Sequence, residues 1–462
     1  MPALKAGYAI ADITPPIGVT MAGYGARDHG SESIETPLSC CALVVEDGEQ
    51  AAGMVFCDLI AVSRELVAQV RSLVAEAGEI APDNVMLCGS HTHWGPEVRL
   101  AGYLPEHLKH GVSEAYLDCL ARTIAGALGE AWRGRVEVAA GWGNGWVEAI
   151  SFNRRPVTTT GQTVVSYQLP PEQAMVAAHA GSEMRRQWVR GGDKGPRLSP
   201  PLEGLQGMCA GVSDPELPFL KLLDQEGKPF LGLVNFACHP VVGGDDNFYA
   251  FSPDYPGEAR KAFEAVVGCP LAFSLGCAGD QVPAWRAGAS RTRVGRSLGS
   301  AAACEWYQVQ SCAKEVPVRA IRRDLTLAIK DMPSVEEARA ELAACPDPES
   351  PAAAAQRQQV AMAERFAERK AIDTELWGVR LGDWAAVGLP GEIMAEIGLQ
   401  IKQHSPFPVT AIISLCNDSV GYISTARAHR EGGYEPTWSA PGPQAEEQLV
   451  DAALGLLKDL HD

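Results

Sequence analysis

The feature that most constrains this chain is one design used five times: a short apolar or small-residue run that stops abruptly in polar groups. The runs are "VMLCGSHTH", "LVNFACHP", "AFSLGCAGD", "AAVGLPGE" and "AIISLCND". Each is too short for a core helix and reads as a strand buried on both faces. Helix-like stretches such as "SRELVAQVRSLVAEAG" and "AYLDCLARTIAGALGEAW" lie between them. This alternation predicts an α/β layered fold with a largely buried mixed sheet flanked by helices. In open α/β sheets, ligands gather outside the carboxyl ends of the strands. His91, His93, His239, Asp280, Glu392 and Asn417 are therefore candidates for one shared rim, with a metal site at strand C-terminal ends.

The rest of the chain carries no fixed-period repeat and no clear linker, so residues 1–462 are expected to form a single catalytic-type domain. Residues 156–215 are polar and rich in Gly and Pro, which predicts a loop-rich insertion. Residues 334–376 predict a helical hairpin: "SVEEARAELAAC" opens with a capping box, Ser334 and Glu337, and a break at "PDPES" precedes a second run of helix formers. The tail "PQAEEQLVDAALGLLKDLHD" predicts an amphipathic helix, apolar at Leu449, Ala452, Ala453, Leu456 and Leu457.

Composition excludes several classes of function. A net charge of −18 argues against sequence-independent nucleic-acid binding and against a polybasic grip on anionic lipid. No run of 18 apolar residues predicts a transmembrane helix, and the first residues lack the charged and apolar regions of a signal peptide. The cytoplasm is the expected compartment. The 13 cysteines include no CxxC pair, and Cys57, Cys88, Cys238, Cys277 and Cys416 sit inside apolar runs. They read as small buried hydrophobes under reducing conditions, not as a disulfide framework or a thiolate zinc site.

The chemistry centres on "GSHTHWGPE". His91 and His93, at i and i+2, would point the same way if both stayed on a strand. "ACHP" adds His239 and "PGE" adds Glu392. Three or four N/O ligands from distant segments, with one coordination position open, is what a hydrolytic zinc needs. A lone HxH motif is weak, and two histidines satisfying strand-end hydrogen bonds is an equal reading of that motif alone. Ser90 reads as a strand-end hydroxyl, because "CGSHTH" is not the GxSxG of a nucleophile elbow. Asp280 and Asp254 read either as carboxylates orienting a ligand's second ring nitrogen or as caps; Asp12 reads as a turn or cap residue.

In order along the chain, "AGYAIADITPP…MAGYG", "SHTHWGPE", "SFNRRP", "NFACHP" with "SPDYPGEA", "CAGDQVP", "LPGE" and "LCNDSVGYISTARAHREGGYE" resemble the motifs of the neutral/alkaline ceramidases. The corresponding family segments are GRADITGP…GY, SHTHSGP, NRSP, HP…SSDNKGYA, GDVSP, PGE and the N-x-x-x-x-Y-x-x-T…YE block. The resemblance implies a zinc ion bound by His91, His239, Glu392 and Tyr422. It also implies a second set of site residues, His93, Arg154 and Tyr434. In that setting His93 would shuttle protons, Arg154 would anchor the substrate or developing oxyanion, and Tyr434 would hydrogen-bond at the same centre. The implied reaction is hydrolysis of an N-acyl amide by water activated at the metal, with no protein nucleophile.

Two departures bear on substrate. Trp94 stands where the family has a small serine, and either narrows the pocket or packs in the core. The chain also stops soon after the last motif, so it is expected to be a short form without the family's C-terminal immunoglobulin-like domain. The leading expectation is a zinc amidohydrolase acting on a ceramide-like or smaller soluble N-acyl amide. The alternatives are the same zinc framework acting on an ester or sugar derivative, and a non-catalytic metal-containing binding protein.

Overall fold

The structure, a computed structural model, describes residues 3–99, 108, 111, 113–147, 150–155, 163, 212–243, 247–286, 289–347, 351–366 and 369–462. The loop-rich insertion expected at 156–215 lies almost wholly outside the described residues.

Strands β1 (Lys5–Asp12), β3 (Ser39–Glu46), β4 (Ala51–Cys57), β5 (Val85–Gly89), β6 (Val136–Trp146), β8 (Glu216–Asp224), β9 (Pro229–Phe236) and β11 (Leu271–Leu275) form an eight-stranded mixed sheet, ordered β11-β9-β8-β6-β1-β3-β4-β5. A second sheet holds β13 (Val318–Ala328), β14 (Ala371–Leu381), β15 (Trp384–Gly388) and β17 (Val409–Ile413). Three short pairs complete the strands: β2 (Ser33–Ile34) with β10 (Ala250–Phe251), β7 (Ser151–Asn153) with β12 (Gln281–Pro283), and β16 (Glu392–Ile393) with β18 (Tyr422–Ile423).

Strand β3 shows why the layers stack as they do. Every second side chain, Cys40, Ala42 and Val44, joins a core with Val70 and Val74 of helix Arg64–Ala77 and Ile124 of helix Glu114–Arg133. The alternate set, Cys41, Leu43 and Val45, packs on Trp377, Val379 and Trp384 of the second sheet. A strand buried on both faces has no polar positions to show, which is the composition the sequence carries. The expected mixed sheet flanked by helices is present, with one refinement: on one face the four-stranded sheet intervenes. Its far side is covered in turn by helices Ala395–His404 and Ala445–His461. The last helix buries Leu449, Leu456, Leu457 and Leu460, each contributing about 1.5–3 kcal/mol of hydrophobic stabilisation.

The first and last strands of the large sheet, β5 and β11, lie at opposite edges. Segment 414–417 spans them: Ser414 N donates to Leu275 O at 2.9 Å and Asn417 N to Leu87 O at 2.9 Å. Asn417, with φ of 59°, also accepts from Leu87 N at 2.8 Å through its side chain. This closure brings the ends of β5, β9 and β11 to one place.

Helices Val335–Ala343 and Pro351–Phe366 occupy the 334–376 region, which ends as strand β14 from Ala371. Ser334 and Glu337 form the reciprocal capping box. Among the described residues no helix is long and apolar enough to cross a membrane, and the cysteines are free thiols.

Candidate metal centre and its arginine flank

Strand β5 stops at Gly89, and the chain then turns instead of continuing as a pleat. Ser90 N donates to Cys57 O and His91 N to Leu59 O, both at 2.8 Å, and His91 adopts φ of 68°. A non-glycine residue in this left-handed region is uncommon and is held there by surrounding bonds. The pleat argument for the histidine pair is therefore corrected. His91 and His93 converge because of a turn, with His93 N tied to Pro240 O at 3.3 Å.

His239 follows β9 by three residues and is fixed twice by one carbonyl: its N and its Nδ1 both lie 3.0 Å from Gln281 O. His91 Nδ1 lies 2.7 Å from Ile60 O. A carbonyl can only accept, so each Nδ1 carries the proton and each Nε2 presents a lone pair. Both Nε2 atoms lie 3.2 Å from the same atom, Glu392 Oε2. Three acceptors meeting at one point are reconciled only by a cation or an added proton. Suitable metal-ligating atoms of His91, His93 and His239 lie within 4.8 Å of one another. The residues present fit a divalent metal ion of the kind imidazole and carboxylate bind.

Burial, reinforced by the neighbouring Arg154 charge, brings His239 down to about 4. His93 is pushed well below its ordinary value by burial and by the adjacent imidazoles. The His93 ring stands edge-on to His91, centroids 4.9 Å apart, and to Tyr24 at 5.0 Å. Its Nε2 is 3.3 Å from His91 Nε2, and its buried Nδ1 has no partner among the described residues. Gly23, at φ of 95°, lies flat against this ring: a Cβ there would sit 2.6 Å from it.

Glu392 and Tyr422 pair as neighbours across β16 and β18, with Glu392 N donating to Gly421 O at 3.0 Å. Burial and the Glu392 carboxylate raise the Tyr422 phenol well above its ordinary range, while Arg154 pulls the other way. Arg154 follows β7. It donates to Tyr422 Oη at 3.1 Å, to Gly279 O at 2.9 Å and, through Nε, to Glu435 Oε1 at 2.8 Å. The Tyr434 ring lies 5.7 Å from that of Tyr422 and 5.3 Å from the Arg154 guanidinium. The seven residues that the resemblance implies thus gather at one place, with His91, His239, Tyr422 and Arg154 buried and His93, Glu392 and Tyr434 partly buried.

Other expectations resolve differently. Asp280 does not touch an imidazole; backbone carbonyls orient both rings. Its carboxylate accepts from Asn153 Nδ2 at 2.6 Å, Gln281 Nε2 at 2.9 Å and Ala395 N at 2.9 Å, joining the arginine segment to the segment after Glu392. Asp254 precedes helix Tyr255–Val267 at its N-cap position without capping it by side chain, and instead accepts from Val242 N at 2.7 Å, fixing the loop beyond His239. Asn417 faces β5 and Glu375 rather than the histidines. Ser90 is buried and hydroxyl-unpaired among the described residues. Trp94 is a packed core residue, 5.3 Å from the Tyr24 ring and against Gly243. Sequence reasoning missed Glu435 and Arg155. Glu435 is fully buried between the two adjacent arginines, pairing with Arg155 through its other oxygen.

Residues 4–163 match the family model described as neutral/alkaline non-lysosomal ceramidase, N-terminal. Over its full length the chain superposes on neutral ceramidase from Pseudomonas aeruginosa with a TM-score of 0.70 at 19% identity, covering 75% of that chain. A ceramidase complexed with C2 gives a TM-score of 0.70 at 18% identity, with 76% of that chain covered. The chain therefore carries the amino-terminal sequence pattern of the neutral/alkaline non-lysosomal ceramidases and, throughout its length, their fold.

Proposed function

We propose that this chain is a zinc-dependent hydrolase of an N-acyl amide, ceramide-like or smaller. The observation that carries the reading is the convergence of two lone-pair Nε2 atoms on one carboxylate oxygen, at 3.2 Å each. His91, His239, Glu392 and Tyr422 would hold the ion. Bound there, zinc supplies a Lewis acid and lowers the pKa of water toward neutrality.

The chain's own groups do the rest. Carbonyls of Ile60 and Gln281 fix the imidazole tautomers and save the ligand atoms from rotating. His93, kept neutral by burial, accepts a proton from the attacking water at its imidazole and returns it to the departing amine nitrogen. Arg154 stays charged despite its burial because the Glu435 carboxylate pairs with it, and it stabilises negative charge developing on the carbonyl oxygen. Tyr434 packs on that guanidinium and keeps water from its face. The family match at residues 4–163 and the shared fold support an amide as the scissile bond.

The test is release of free amine from zinc-supplemented protein, using a short-chain ceramide, a soluble N-acyl amine and an ester of the same acyl group. Amide cleavage that vanishes in His93→Ala is expected. Turnover of the ester alone would overturn the reading.

A further inference from the structure

The Arg154–Arg155 pair holds more charge than the proposed mechanism uses. Two guanidinium groups, 6% and 4% exposed, share one carboxylate that is 0% exposed. Glu435 Oε1 takes the Arg154 Nε–H at 2.8 Å, and Oε2 takes Arg155. Arg155 continues outward: its guanidinium donates to Gly432 O at 2.8 Å and to Thr163 Oγ1 at 3.3 Å, and lies 3.7 Å from Glu431. The Gly432 and Glu431 contacts fall on the turn that carries Tyr434, and Thr163 is itself tied to that turn through its N, 3.0 Å from Glu431 O. Gly432 and Gly433 adopt φ of 73° and 97° in this turn, the helix Tyr434–Thr437 has no side-chain cap, and Arg155 adds its bonds to those of Gly432 N on Ala428 O at 2.9 Å and Thr437 Oγ1 on Gly433 O at 2.7 Å.

Resting on the proposed reaction, we infer that Glu435 and Arg155 are positioning residues for it: the shared carboxylate aims Arg154 at Tyr422, and Arg155 straps the 431–435 turn so that Tyr434 stays on the Arg154 face. The fork geometry explains why two arginines are needed. Arg154 spends Nε on Glu435 and one terminal nitrogen on Tyr422 Oη and Gly279 O, which leaves its plane a single orientation. Glu435 cannot take both oxygens to Arg154 without abandoning Arg155. At the position of Arg155 the resembling motif NRSP has serine, whose short hydroxyl does not span to Glu435 and Gly432 together.

The test compares Glu435→Gln, Glu435→Asp and Arg155→Lys in zinc-loaded protein. Glu435→Gln is expected to lower kcat about 100-fold, the scale on which a misplaced catalytic group costs rate, with KM within about threefold and zinc content unchanged; the effect is larger than that of Glu435→Asp. Arg155→Lys retains both charges but not the fork, and carries the test if Glu435→Gln does not fold; a kcat loss of about tenfold is expected. A second readout needs no turnover. In protein with 15N-labelled arginine, the Nε–H signal of Arg154, assigned by its absence in Arg154→Lys, exchanges slowly in the wild type and should exchange fast in Glu435→Asp and Arg155→Lys. Wild-type kcat in folded Glu435→Gln, or unchanged Arg154 exchange in Arg155→Lys, would overturn the inference. If the wild type cleaves no amide, the functional proposal fails while the exchange experiment still decides whether Glu435 and Arg155 hold Arg154.

Discussion

The two sides of the centre are built by different means. On the histidine side, orientation comes from the main chain: Ile60 O and Gln281 O fix the rings, and hydrogen bonds from residues 90, 91 and 239 fix the turns. On the arginine side, carbonyls of Gly279 and Gly432 contribute, but both guanidinium groups also depend on one side-chain carboxylate, Glu435. Backbone anchors survive any substitution that preserves the fold, whereas a buried charge network fails when one member is removed. The histidine side should therefore be sensitive to loss of its ligands alone, and the arginine side to changes one residue removed from the chemistry.

The sharpest break of that contrast is His239→Ala. It removes a proposed ligand while leaving the Arg154–Glu435–Arg155 network in place, and a loss of activity of about 1,000-fold or more, together with the metal, is expected from an assay run beside elemental analysis. Arg154→Lys probes the other side. It keeps the charge but not the fork, and kcat should fall about 100-fold while metal content stays intact. Asp280→Asn tests a carboxylate that joins the two sides through Asn153 and Ala395. Loss of a buried acceptor there should cost about 2–3 kcal/mol in chemical denaturation, with kcat and metal affinity declining together. Ser334→Ala sits far from both sides in a capping box. It should cost about 1 kcal/mol at most and leave kinetics unchanged; a kinetic effect would mean the hairpin communicates with the centre.

Much of this was legible because the physics is local. Five apolar runs ending in polar residues announce buried strands, and the structure places His91, His239 and Glu392 beyond the ends of β5, β9 and β15. Leu449, Leu456 and Leu457 declare their helix face by spacing alone. Other features left no trace in residue type. The partners of the two imidazoles are carbonyls of Ile60 and Gln281, and a carbonyl looks the same at every position. His91 reaches the site through a left-handed turn that any strand-based argument misses. The second sheet as a covering layer was equally silent, since Trp377 and Trp384 read as buried whether a sheet or a helix lies opposite. Glu435 pairs with arginines 280 and 281 residues away, and nothing in "GGYEP" distinguishes it from a surface glutamate.

The central claim is that His91, His239 and Glu392 meet on one cation. The most direct measurement is a zinc titration of chelator-stripped wild-type protein, followed by calorimetry, beside Glu392→Gln. The account predicts about one tight site per chain, as a closed set of protein ligands gives, and affinity weakened by at least about tenfold when the carboxylate becomes an amide. A folded wild type that takes up no zinc, or a site indifferent to Glu392→Gln, would contradict it.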